Sequence, residues 1–186
     1  HIEAKASAVF DEDFHQAYYK KVGIHDFYLP TKKDGFVNHR SIQSGSKGSP
    51  IGFALSKSGF GKDYVKDLRA KFLRTQEIQV MVEDLPQHDN RVILSGEKKD
   101  PWGYPVAEVH HRYHDSDRQA VTSALVHVRK LLETAGGAEI TIPKSIQDNI
   151  TGRYTWHLMG TARMGKNAQA SVVDPDCRSH DIPNLF

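Results

Sequence analysis

Residues 77–113 read EIQVMVEDLPQHDNRVILSGEKKDPWGYPVAEVHHRY, and their alternation decides the fold class. Ile78, Val80 and Val82 fall on one face of a strand, Pro86 to Asn90 is turn chemistry, and Arg91 to Leu94 is strand-like again. The pattern predicts a β-hairpin. A polar connection over Ser95 to Gly103 then leads to a third strand over Val106 to Tyr113, extending the hairpin into an antiparallel meander.

Downstream, Ser116 followed by Gln119 resembles a capping box, and Val121, Ala124, Leu125, Val128, Leu131, Leu132 and Ala135 recur at helical spacing. Gly136-Gly137 supplies a left-handed stop, and Ala138 to Ile142 reads as one more strand before Pro143. Upstream, Gly61 to Phe72 sets Tyr64, Val65, Leu68 and Phe72 along one face of a short helix. Ser41 to Gly61, with five glycines and six serines, reads as a long loop or lid. The first forty residues show no clean period beyond a helical stretch over Phe14 to Val22. The expected architecture is α+β, a mostly antiparallel sheet with helices on one side.

Composition narrows the function classes. Hydrophobic residues make up 38% and charged residues 26%, which suits a packed core and excludes a disordered chain. A net charge of +2 gives no nucleic-acid surface. No run of about 18 apolar residues occurs, so no membrane-spanning helix and no export signal are expected. Cys177 is the sole cysteine, which rules out an internal disulfide or a cysteine-cluster zinc site.

Most candidate constellations read as structural. His110, His111 and His114 are clustered, but adjacent strand residues point to opposite faces, so no metal site is assigned. Cys177, near Arg178 and His180, reads as an inert, partly buried thiol. Asn149-Ile150-Thr151 fits a glycosylation sequon. No Gly-x-Gly-x-x-Gly turn and no phosphate-cradling P-loop are present. His157 stands apart, set among Tyr154, Trp156, Leu158 and Met159 and followed by Gly160 and Gly165. Burial would keep its imidazole neutral and proton-accepting, though a satisfied core histidine has the same surroundings.

The run His157-Leu158-Met159-Gly160-Thr161-Ala162-Arg163-Met164-Gly165, then Val172-Val173-Asp174-Pro175, Arg178, His180 and Ile182-Pro183-Asn184-Leu185-Phe186, resembles the C-terminal signature of the glucose-methanol-choline (GMC) flavin oxidoreductases. Asp84-Leu85-Pro86, Asp89-Asn90-Arg91-Val92, Asp100, Gly103-Tyr104-Pro105 and Ala135-Gly136 resemble the stretch that precedes it. The resemblance covers residues 77–186, while 1–76, including the Gly/Ser loop at 41–61, would be a variable, substrate-shaping part of a single 1–186 domain or fragment.

The resemblance implies an FAD-dependent enzyme that oxidises the CH–OH group of an alcohol, sugar or polyol by hydride transfer to flavin. In such an enzyme His157 takes the hydroxyl proton. Trp156 and His157 would border the cofactor, and Trp156 would wall the substrate pocket unless it is plain core packing. The FAD-binding Rossmann portion and the second catalytic His or Asn are expected outside this chain, which alone would neither hold FAD tightly nor turn over. The own FAD-binding domain and a small-molecule substrate are the expected partners. Two other readings remain: a hydroxynitrile-lyase-type relative, and a non-enzymatic binding domain on the same fold.

Overall fold

Ile2–Val9 (IEAKASAV) forms β1 because its alternation is complete: Ile2, Ala4, Ala6 and Ala8 are all buried, while Glu3, Lys5, Ser7 and Val9 point the other way. The small alanines conceal this strand from a pattern search for large β-branched residues. The structure is a computed structural model that describes residues 1–14, 22–45, 48–143, 160 and 162–186. The predicted helical stretch at Phe14 to Val22 and the sequon at Asn149 lie almost wholly or wholly outside the described residues.

The remaining elements, in chain order, are β2 (Gly23–Ile24), β3 (Arg40–Ser44), α1 (Pro50–Leu55), α2 (Gly61–Phe72), β4 (Thr75–Val82), β5 (Arg91–Lys99), β6 (Pro105–His110), α3 (Asp115–Thr134) and β7 (Ala138–Thr141). Mostly antiparallel sheets, with three helices among the described residues, make the fold α+β. The chain divides into two compact units, His1–Leu85 with Tyr113–Thr155, and Pro86–Arg112 with Trp156–Phe186.

The first unit is built on a five-stranded sheet in the order β2-β3-β4-β1-β7. β4 is central, with β1 on one edge in the register Ala4↔Val80 and β3 on the other in the register Ile42↔Val80. The hairpin expected between β4 and the next strand therefore does not form. Both edges of β4 are already paired, by strands that precede it in the chain.

Helix α3 covers the apolar face of this sheet. Ala120, Val121, Ala124, Leu125, Val128 and Leu132 recur at three- and four-residue steps and pack with Ile2, Ala4, Ala6, Ala8, Ile42, Val80 and Val82. Each large aliphatic side chain fully buried in this stripe contributes about 1.5–3 kcal/mol. The cap of α3 begins two residues earlier than the Ser116 box. His114 is the N-cap, its Nδ1 accepting from Ser116 N–H at 3.1 Å, and Asp117 Oδ2 accepts in return from His114 N–H at 2.7 Å. His114 is thus a structural residue.

Arg40 enters the core face beside Ile42 and is only 4% exposed. Its guanidinium donates to Phe27 O at 3.0 Å and Ser123 Oγ at 3.0 Å, pairs with Asp34 at 3.4 Å, and lies over the Phe36 ring. A buried cation is tolerable when every face is occupied in this way.

The Gly/Ser stretch at 41–61 is not one long loop. Ser41–Ser44 completes β3, and Ser49 caps α1 by accepting from Gly52 N–H at 3.1 Å, with Pro50 as the first helical residue. Tyr64 on α2 donates to Ala54 O at 2.6 Å, and the rings of Phe53 and Phe72 meet edge to face, so α1 and α2 brace each other.

In the second unit β5 pairs with β6 in the register Val92↔Val109 and Leu94↔Ala107. Strand β5 runs to Lys99, five residues further than the spacing suggested. The residues read as a turn after β4 instead tie off this hairpin: Asn90 Oδ1 accepts from Arg112 N–H at 2.9 Å, and Asn90 Nδ2 and Gln87 Nε2 both donate to Arg112 O. The expected three-strand meander is therefore a two-strand hairpin.

Candidate functional site

Trp156 and His157, for which the family resemblance implies cofactor contact and catalysis, lie outside the described residues, as do Leu158, Met159 and Thr161. The described part of the same motif is Gly160 and Ala162–Phe186.

Arg163 O accepts from Val172 N–H at 2.8 Å and from Val173 N–H at 3.2 Å, and Gly165 N–H donates to Val173 O at 2.9 Å. Met164 thereby forms a parallel bridge with Val173, which in turn bridges Ser179 antiparallel. Three short stretches are laced by backbone bonds without any of them becoming a regular strand.

Side chains complete the lacing. Ser171 Oγ lies 2.7 Å from Asn167 O, 2.9 Å from Gly165 O and 3.0 Å from His180 Nε2, and His180 Nε2 is also 3.0 Å from Gly165 O. A carbonyl can only accept, so the contact with Gly165 O requires the proton of His180 on Nε2. Gly165 is packed against this node: a Cβ there would stand 3.1 Å from Ser171 Cβ. The absence of a side chain at Gly165 is what allows the crossing.

Asp174 organises the next turn. Its Oδ1 accepts from Asp176 N–H at 2.9 Å and Arg178 N–H at 3.0 Å, while its backbone N–H donates to Arg178 O at 2.8 Å. Cys177 sits inside this turn in the left-handed region, φ 66°, and is exposed. The expectation of a partly buried thiol is corrected here, because the tight turn turns the side chain outward. Ser179 N–H donates to Leu185 O at 2.8 Å, and Ser179 Oγ accepts from Ile182 N–H at 3.2 Å, fastening the last residues.

The motif residues Asp174, Arg178 and His180, with Ser179 between them, are therefore scaffold for the backbone of 163–185. Gly165, which the motif contains, and Ser171, which it does not, belong with them; nothing marks Ser171 in the sequence, since serine in a polar stretch also reads as loop.

Among the described residues no group of three His, Cys, Asp or Glu side chains is placed to hold a metal ion. His110 pairs with Glu108 at 3.3 Å and His114 serves as the helix cap. An open groove on α2, lined by Gly61, Lys62, Val65, Lys66 and Arg69, belongs to the first unit and contains no motif residue.

Comparison with known proteins adds the family. A family model described as GMC oxidoreductase matches residues 86–186. The chain is 32% identical over 171 residues to a 2-methyl-1,2-propanediol dehydrogenase of Mycolicibacterium austroafricanum, covering 87% of this chain and 30% of that protein. It is 30% identical over 133 residues to the fructose dehydrogenase large subunit of Gluconobacter japonicus, covering 72% of this chain and 23% of the relative. The first match necessarily takes in part of residues 1–76, where no motif was legible. The chain spans less than a third of the length of either relative. With more than half of its residues matched by the family model, this chain belongs to the GMC oxidoreductase family.

Proposed function

We propose that this chain is the substrate-binding and proton-accepting portion of an FAD-dependent oxidoreductase acting on the CH–OH group of a small alcohol, sugar or polyol. The observation that carries the proposal is the family match over 86–186, which contains the His157 motif. Dehydrogenase relatives, one of a diol and one of a sugar by name, support the substrate class.

In this reading His157 accepts the hydroxyl proton of the substrate. Loss of hydride from carbon is easier as the oxygen gains alkoxide character, so a neutral imidazole within hydrogen-bond reach lowers the barrier by a factor of about 10²–10⁴. Trp156 walls the substrate side. The laced backbone of 162–186 fixes the path of the described part of the motif. FAD, when bound, supplies the hydride acceptor. Its dinucleotide is held by the part of the polypeptide that the relatives carry beyond this length, and the 186 residues alone are inactive.

The test uses the full-length protein. Addition of substrate alcohol should bleach the flavin absorbance, and His157→Ala should slow that bleaching by about 10²–10⁴-fold with flavin content unchanged. A His157→Ala variant that bleaches at the parent rate would overturn the role of the histidine. Flavin that stays oxidised with every alcohol tried would overturn the oxidoreductase reading in favour of redox-neutral chemistry.

A further inference from the structure

The β5–β6 hairpin gathers its large aliphatic side chains on one exposed face. Val92 and Val109 stand opposite one another, as do Leu94 and Ala107, so the four share one face. That face is exposed: Val92 is 52%, Leu94 70% and Val109 71% accessible. The opposite face carries Arg91, Glu108 and His110 together with Ile93, and it includes the buried Ser95. An antiparallel sheet with one wet side normally turns its polar residues to water. Here Arg91, Ile93 and His110 on the other face are exposed as well, so the aliphatic face stands in water with no polar face turned out in its place, and two strands alone are marginal without cover.

We propose that this apolar face is the docking surface for the portion of the full-length polypeptide outside these 186 residues, the portion that carries FAD under the reading above, on which this inference rests. Two observations select that occupant. Known relatives are more than three times as long as the region this chain matches, so the covering segment belongs to the same molecule and acts at high effective concentration. Four aliphatic side chains offer on the order of 300–400 Å², well short of the roughly 800 Å² that each partner of a stable dimer contributes. An intramolecular contact needs no such area.

The test is photocrosslinking of the full-length protein with p-benzoylphenylalanine in place of Val109, followed by peptide mapping. A second measurement is the rate at which a maleimide modifies Val109→Cys, free of any bulky probe, in the native and urea-unfolded protein. The expected result is adducts on peptides outside the 186 residues, with labelling at least about tenfold slower in the native state and independent of protein concentration. Adducts confined to residues 1–186, labelling as fast in the native as in the unfolded protein, or protection lost on dilution would each overturn the proposal. Flavin content is measured in parallel. External adducts without flavin would leave the docking surface standing and remove the cofactor reading, whereas bound flavin with internal adducts alone would overturn the docking surface only.

Discussion

Asn38 Nδ2 donates to Asp117 Oδ1 at 2.6 Å across 79 residues of chain, and both side chains are fully buried. The same amide donates to Glu83 O at 2.8 Å, and Asn38 Oδ1 accepts from Ser116 Oγ. Asp117 also accepts from His114 N–H and from Leu85 N–H. One carboxylate thus ties the start of α3 to the ends of β4 and to the segment entering β3. Replacing it strands several buried donors at once, and each unsatisfied group costs about 1–3 kcal/mol.

Asp117→Ala is therefore expected to destabilise the first unit by about 3 kcal/mol, near the upper end for one substitution. Asp117→Asn, which keeps an acceptor toward Asn38 but turns an amide toward His114 N–H, should fall between the variant and the parent. Urea midpoints read by the far-ultraviolet signal would check the order, and an Ala variant within 0.5 kcal/mol (about the noise of surface substitutions) would show the network to be dispensable.

Glu77 on β4 gives a pH dependence with a definite sign. Burial pushes its carboxyl above the usual carboxylate value of 4.5, and Lys5, 3.2 Å away on β1, only partly offsets this. A folded-state pKa above the unfolded one means that the native protein holds the proton more tightly. The stabilisation is complete below pH 4.5 and is lost as pH rises through the raised folded value. Glu77→Gln, which carries no titrating group, should gain stability relative to the parent as pH rises from 4 to 8, the span above the ordinary range. A difference that stays flat across that span would contradict the shift.

Helices α2 and α3 and strand β4 were legible because their signals are local. Gly61 to Phe72 is α2 to the residue, and the aliphatic spacing after Ser116 is the buried stripe of α3. The pairing of strands was not legible, since β4 finds its partners in β1 and β3, and β1 hides its inward face in Ala4, Ala6 and Ala8. Local turn chemistry at Pro86 to Asn90 suggested a hairpin with the wrong strand, and tertiary pairing decided otherwise. At the site, the histidine motif was recognisable as a string. The scaffolding role of Asp174 and His180 within it, and of Ser171 beside it, was not, because they act through backbone carbonyls and amides that no pattern of side chains reveals.

Ser171→Ala should loosen the lacing after the histidine. It removes the hydroxyl that reaches Asn167 O and Gly165 O and leaves His180 Nε2 with Gly165 O alone. The expected cost is about 1–2 kcal/mol, felt locally. Hydrogen exchange should accelerate at Gly165, Val172 and Val173, whose amides donate in that lattice, while the amides of α3 remain unchanged. Uniform acceleration in both units, or none in either, would speak against a local role.

The adjacent glycines after α3 should respond to substitution for different reasons. Gly136 has φ 82° with open space around a Cβ, so Gly136→Ala meets only backbone strain, about 1 kcal/mol. Gly137 has no such backbone demand, but a Cβ there would lie 2.8 Å from Ala8 Cβ and 3.0 Å from Leu132 O, where β7 comes in beside β1. Gly137→Ala should cost more, about 1–3 kcal/mol from overpacking. Adding Ala8→Gly removes the first clash and leaves the second, so the double variant should recover part of the loss. That recovery is the coupling a double-mutant cycle isolates, and strictly additive costs would place the damage at Leu132 O instead of at the contact between the two strands.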